Sequence, residues 1–67
     1  MKKSYQVGEK VMHEYLGMGI VTEVMESMLS VKYNSYVVLF EQPPPIDYNL
    51  GKNPAIVYND SLNKVKT

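Results

Sequence analysis

Apolar and polar residues alternate along short stretches of this chain, and glycine and proline punctuate them, which is the pattern of an all-β protein. Within residues 10–14, Val11 and His13 share one face and Met12 and Glu14 the other, predicting a short strand. Gly8 allows the tight turn that precedes it. Gly17 and Gly19 are read as positive-φ positions that reverse the chain before Ile20 and Val21 begin a second strand. The three-residue step from Val21 to Val24 breaks strict alternation, and a bulge at Thr22 and Glu23 would return both valines to one face. A helix over residues 22–29 competes on propensity. It would be short, and no Glu or Gln occupies the capping-box position after Thr22.

Leu29, Val31 and Tyr33 alternate cleanly with Ser30 and Lys32, so residues 29–33 are expected to form a strand with one wet face. Asn34 and Ser35 would then make a two-residue hairpin turn. Residues 36–41 return as the most hydrophobic strand, with Tyr36, Val38 and Phe40 on one face and Val37 and Leu39 on the other. Both faces are apolar, so one needs a cover. Pro43, Pro44 and Pro45 end that strand because proline has no N–H for a ladder. The irregular stretch up to Pro54 is long for so small a domain, and loops of that kind often carry function. Residues 55–58 read as a last strand. Asn59, Asp60 and Ser61 start a turn, and the three-residue spacing of Leu62 and Val65 suits a 3₁₀ turn near the C-terminus.

Composition narrows the function classes. The chain has 67 residues and no cysteine, so it forms one domain over residues 1–67 with no disulfide framework and no thiolate metal site. Lys2 and Lys3 are not followed by an apolar region, and no apolar run approaches the roughly 20 residues of a spanning helix. A soluble cytoplasmic protein, complete as written, is the expectation. The seven basic side chains are all lysine, and Lys2, Lys3, Lys64 and Lys66 sit at the two ends. Between them Lys10, Lys32 and Lys52 face all seven carboxylates, leaving an acidic body without an arginine for bidentate phosphate contact. Nucleic-acid binding is therefore expected to be weak or indirect, unless the lysine-bearing ends lie together.

The segment Val7-Gly8-Glu9-Lys10-Val11-Met12-His13, followed by Gly17-Met18-Gly19-Ile20-Val21, resembles the G-x-x-V-x-H…G-x-G-x-V pattern of Tudor-like SH3 barrels. Such barrels occur at the C-terminus of UvrD/PcrA-type helicases and in the RNA-polymerase-binding domain of CarD-like proteins. The resemblance is specific over the first third of the chain and pattern-level beyond it, through the Val38/Phe40 strand and the terminal Leu62/Val65 turn. It implies a small five-stranded SH3-like barrel in which Gly8, Val11, His13, Gly17, Gly19 and Val21 are scaffold positions. Leu16 departs from the pattern where an aromatic often precedes the glycine, and the loop over residues 43–54 is longer than the pattern has. By this resemblance the chain docks on RNA polymerase, a helicase or another nucleic-acid-processing machine. A stand-alone copy of a domain otherwise appended to larger enzymes also suits a phage-encoded adaptor or inhibitor. Direct nucleic-acid binding through the terminal lysines and a structural homo-oligomer remain the alternatives.

Nothing in the sequence sets up catalysis. His13 is the lone histidine, with no nucleophile or second base beside it, and it is read as a strand histidine packed near the glycine turn. One histidine and scattered carboxylates give no metal-ligand spacing, and no cofactor motif occurs. Glu23 and Glu26 are read as a solvated face. The six tyrosines divide between core and surface, and those on loops, Tyr15 and Tyr48, are interface candidates. With Val38 and Phe40 as the core pair, Val37 and Leu39 turn outward. Beside Tyr48, and rimmed by Lys52 and Glu41, they are expected to form a compact partner-binding patch.

Overall fold

The computed structural model describes residues 4–65. It is an all-β chain of five antiparallel strands in one sheet, ordered β4-β3-β2-β1-β5. The strands are β1 (Lys10–His13), β2 (Gly17–Met25), β3 (Ser35–Phe40), β4 (Ala55–Tyr58) and β5 (Leu62–Lys64). Short 3₁₀ turns lie at Val31–Tyr33, Asn49–Gly51 and Asn59–Ser61. The helix weighed over residues 22–29 does not form, because β2 runs on to Met25.

Alternation decides which face each strand buries. Val11 and His13 from β1, Val21 from β2, Tyr36, Val38 and Phe40 from β3, Ala55 and Val57 from β4 and Leu62 from β5 all point inward. Tyr5 closes this core: its hydroxyl donates to the Leu62 carbonyl at 2.8 Å, and its ring meets Tyr36 edge-on at 5.3 Å. The register between β2 and β3 slips between Val21 and Glu23, so the expected bulge is present. It leaves Val21 opposite Val38 and Val24 opposite Tyr36, both on the core side.

Three expectations need correction. Residues 29–33 are not a strand: Leu29 and Tyr33 stand exposed, and Val31–Tyr33 is a 3₁₀ turn. The end of β2 pairs directly with the start of β3, Met25 against Ser35, so no strand is interposed. Nor do Asn34 and Ser35 form a hairpin turn. Asn34 is buried, its Oδ1 accepts the Ser27 N–H at 2.7 Å, and its Nδ2 lies 3.4 Å from the Tyr36 hydroxyl, which donates to Asn59 Oδ1 at 2.8 Å. The fifth strand is instead β5, where a terminal turn was read across Leu62 and Val65. It pairs with β1, His13 opposite Leu62, and the 3₁₀ turn sits just before it.

Gly17 has φ +84° and Gly8 φ +89°, as the turns on either side of β1 require. Gly19 does not belong with them, because it lies inside β2 with ordinary strand geometry. Glycine is needed there for space: a Cβ would come within 2.6 Å of Val38 Cγ1 and 2.9 Å of the Leu39 carbonyl oxygen.

Candidate functional site

The long loop after β3 folds against the core side of the sheet and leaves the outward side open. Asn53 anchors its end by copying a backbone partner: Oδ1 accepts the Phe40 N–H at 2.9 Å and Nδ2 donates to the Phe40 carbonyl at 3.0 Å. Pro44 is buried, and Tyr48 packs on the core with its ring edge-on to His13 at 5.7 Å. The loop therefore covers His13 and leaves Val37 and Leu39 uncovered, so Tyr48 is not part of a patch with them. Burial pushes the Tyr48 phenol above its ordinary pKa, and burial acts the same way on Tyr5.

His13 is a structural pin. Its Nδ1 accepts the backbone N–H groups of Tyr15 at 3.0 Å and Leu16 at 3.2 Å, which holds the β1–β2 turn closed. An acceptor at Nδ1 places the ring proton on Nε2, which faces the Tyr48 hydroxyl at 3.4 Å. Phe40 meets the ring edge-on at 5.9 Å, and burial lowers the His13 pKa against a smaller opposing effect of Glu14. Both nitrogens are engaged within the fold. Tyr15, 81% exposed at the turn, flanks the same imidazole at 6.1 Å.

The outward face carries the apolar surface. The ladder sets Met12 beside Met18, Lys10 beside Ile20, Ile20 beside Leu39, and Glu23 and Ile56 on either side of Val37. Met12, Ile20, Leu39 and Ile56 are each between 40% and 51% exposed, and Val37 is half-buried among them. A diagonal stripe of methyl-rich side chains thus crosses β1 to β4. Glu41 follows β3 on the same side, its N–H donating to the Met18 carbonyl at 3.0 Å, and Lys10 and Glu23 complete a charged rim. Sequence reasoning found Val37 and Leu39 here. It missed Ile20, Met12, Met18 and Ile56, which only the register assembles. Lys52 is exposed on the approach to β4, at the end of the sheet that also carries the β1–β2 turn with Tyr15.

Of the end lysines proposed as a nucleic-acid contact, Lys2, Lys3 and Lys66 lie outside the described residues, and Lys64 Nζ is 3.9 Å from Glu9 Oε2. Among the described residues no cluster of metal-ligating side chains occurs, and no helix is long and apolar enough to cross a membrane. No family model, curated protein or solved structure matches the chain.

Proposed function

We propose that this chain is a non-enzymatic protein-interaction module of SH3-like, Tudor-like barrel architecture that docks on RNA polymerase or another nucleic-acid-processing enzyme. The observation that carries the docking role is the uncovered apolar stripe through Ile20, Leu39, Val37 and Ile56, rimmed by Lys10, Glu23 and Glu41. Apolar patches with a polar rim mark interaction sites, since a face left wet gains the full hydrophobic contribution only when a partner covers it. The strand order, the bulged long β2 and the 3₁₀ link between β4 and β5 support the barrel reading. The choice of partner rests on the resemblance of residues 7–21 to the Tudor-like pattern.

Immobilised chain is titrated with purified bacterial RNA polymerase core and, separately, with a UvrD-type helicase. Binding of either is expected, and Ile20→Lys with Leu39→Lys should abolish it without changing the urea midpoint by more than about 1 kcal/mol equivalent. Absence of binding to both enzymes refutes the choice of partner. Binding that survives the double substitution refutes the stripe as the dock.

A further inference from the structure

Strand β4 is an edge, and its backbone is left open in a way that suits a second copy of itself. The Asn59 N–H donates to the Asn34 carbonyl at 3.0 Å, so position 59 faces β3. Hydrogen-bonded pairs alternate along an antiparallel ladder, which turns the N–H and C=O groups of Val57 and Ala55 toward Tyr36 and Val38. Those of Ile56 and Tyr58 then point away from the sheet. The N–H and C=O of Ile56 and the N–H of Tyr58 are thus left open at the edge, while the Tyr58 carbonyl heads the 3₁₀ turn Asn59–Ser61 and keeps one lone pair free. Edge strands are usually blunted by charge, proline or a bulge, and β5, at the other edge, carries Lys64. The four residues of β4, Ala-Ile-Val-Tyr, carry none of these. Both side chains on the open positions are large, apolar and more than half exposed, Ile56 at 51% and Tyr58 at 64%.

We infer that the chain forms a two-fold symmetric dimer by antiparallel pairing of β4 with β4 of a second copy. The two-fold lies at Val57, so that Ile56 of each copy exchanges both backbone hydrogen bonds with Tyr58 of the other. This satisfies the three open groups of each strand, and the Tyr58 carbonyl accepts with its second lone pair beside its bond in the 3₁₀ turn. Charge selects a second copy as the occupant. Exposed Lys52 precedes β4 and exposed Asp60 follows it, and antiparallel pairing brings the Lys52 end of each strand to the Asp60 end of its mate. The opposite charges then meet twice, whereas a parallel arrangement would place like with like. The dimer also joins the two outward stripes at Ile56 into one continuous apolar face across both sheets. It does not depend on the identity of the docking partner.

Sedimentation equilibrium of the full chain, from low micromolar to near-millimolar concentration, is expected to show a monomer–dimer equilibrium. Amide exchange at Ile56 and Tyr58 should slow as concentration rises. Chemical synthesis with an N-methyl group on Tyr58 removes one open N–H per copy without touching the β3–β4 ladder, and should weaken dimerisation by about tenfold or more. Lys52→Asp and Asp60→Lys should each weaken it, and the double exchange should restore it. That restoration is the readout a folding defect cannot mimic. A chain that stays monomeric throughout overturns the proposal and leaves the edge to a strand of a different protein. Dimerisation indifferent to the N-methyl group, or a charge exchange that fails to restore association, overturns it as well.

Discussion

Acidification should loosen the β1–β2 turn before it unfolds the domain, because that turn depends on an unprotonated ring nitrogen. His13 Nδ1 is the acceptor for both the Tyr15 and Leu16 N–H groups, so a proton placed there displaces two donors at once. Each lost bond that leaves a part-buried donor unpaired costs about 1 to 3 kcal/mol. A core of this size has a total stability of only about 3 to 5 kcal/mol. Burial lowers the folded-state pKa of His13, whereas the unfolded chain titrates near the ordinary imidazole value of about 6.5. In the window between the two values the unfolded chain binds more protons, so stability rises with pH there. The contribution is fully present above about pH 6.5 and is lost as pH falls through the folded value. Since the chain has a single histidine, a loss of stability that begins near pH 6.5 reports on this residue.

Urea midpoints at constant ionic strength, from about pH 7.5 to about pH 5, are expected to fall. Fast exchange of the Tyr15 and Leu16 amides should appear first. His13→Asn supplies an amide oxygen near the Nδ1 position and cannot titrate. It should cost stability at every pH, by losing ring contact with Phe40 and Tyr48, while flattening the slope. A midpoint that is constant or rises on acidification refutes the reasoning. So does a slope that persists in His13→Asn.

The two glycines of the β1–β2 hairpin should respond differently to substitution. Gly17→Ala pays for a positive φ, about 1 to 2 kcal/mol, and Gly17→Asn should recover part of that because asparagine tolerates the left-handed region. Gly19→Ala instead drives a methyl into Val38 and the Leu39 carbonyl, and should cost about 1 to 3 kcal/mol or more, with Gly19→Asn worse still; equal responses at the two sites in urea unfolding would refute the assignment. Phe40→Ala should unfold or nearly unfold the domain, since its loss of about 3 to 5 kcal/mol matches the total. Circular dichroism showing Phe40→Ala folded while Leu39→Lys unfolds would mean that β3 is oriented the other way.

Strands whose alternation coincides with deep burial were legible in the sequence. The inward and outward faces of β1 and β3 follow from reading every second residue, the Val21 to Val24 step located the bulge in β2, and residues 55–58 were legible as a strand but, being apolar throughout, not as to which face is buried. Residues 29–33 misled because their alternation has no core beneath it. Leu29 and Tyr33 are apolar side chains on a loop, and the buried side chain of Asn34, which looked like a turn former, binds that loop to the Tyr36 hydroxyl, which in turn donates to Asn59. Strand β5 was hidden for a different reason: it has one buried residue, Leu62, and its partner β1 lies at the far end of the chain. The same distance hid Tyr48 on His13. Glycine type was legible but glycine purpose was not. Gly17 and Gly19 look alike in a G-x-G motif, and only the position of Val38 distinguishes a φ requirement from a space requirement.

Ile56 belongs to both the stripe and the edge, and that shared position constrains how the two surfaces work. A protein docking on one copy can cover Ile20, Leu39 and Ile56 without touching the β4 backbone, because the stripe faces outward and the open N–H and C=O groups lie in the plane of the sheet. Dimerisation and docking are therefore compatible, and a partner that spans both stripes should bind the dimer more tightly than the monomer. By linkage it must then strengthen dimerisation by the same factor. A stripe four side chains wide is small beside the roughly 800 Å² per partner of a standard stable interface, and doubling it through the β4 pair brings it closer to that size. The N-methyl Tyr58 chain separates the two effects, since its stripe is intact. Its affinity for the partner should fall to that of the monomer, and an affinity equal to the unmodified chain would show that docking uses one copy alone.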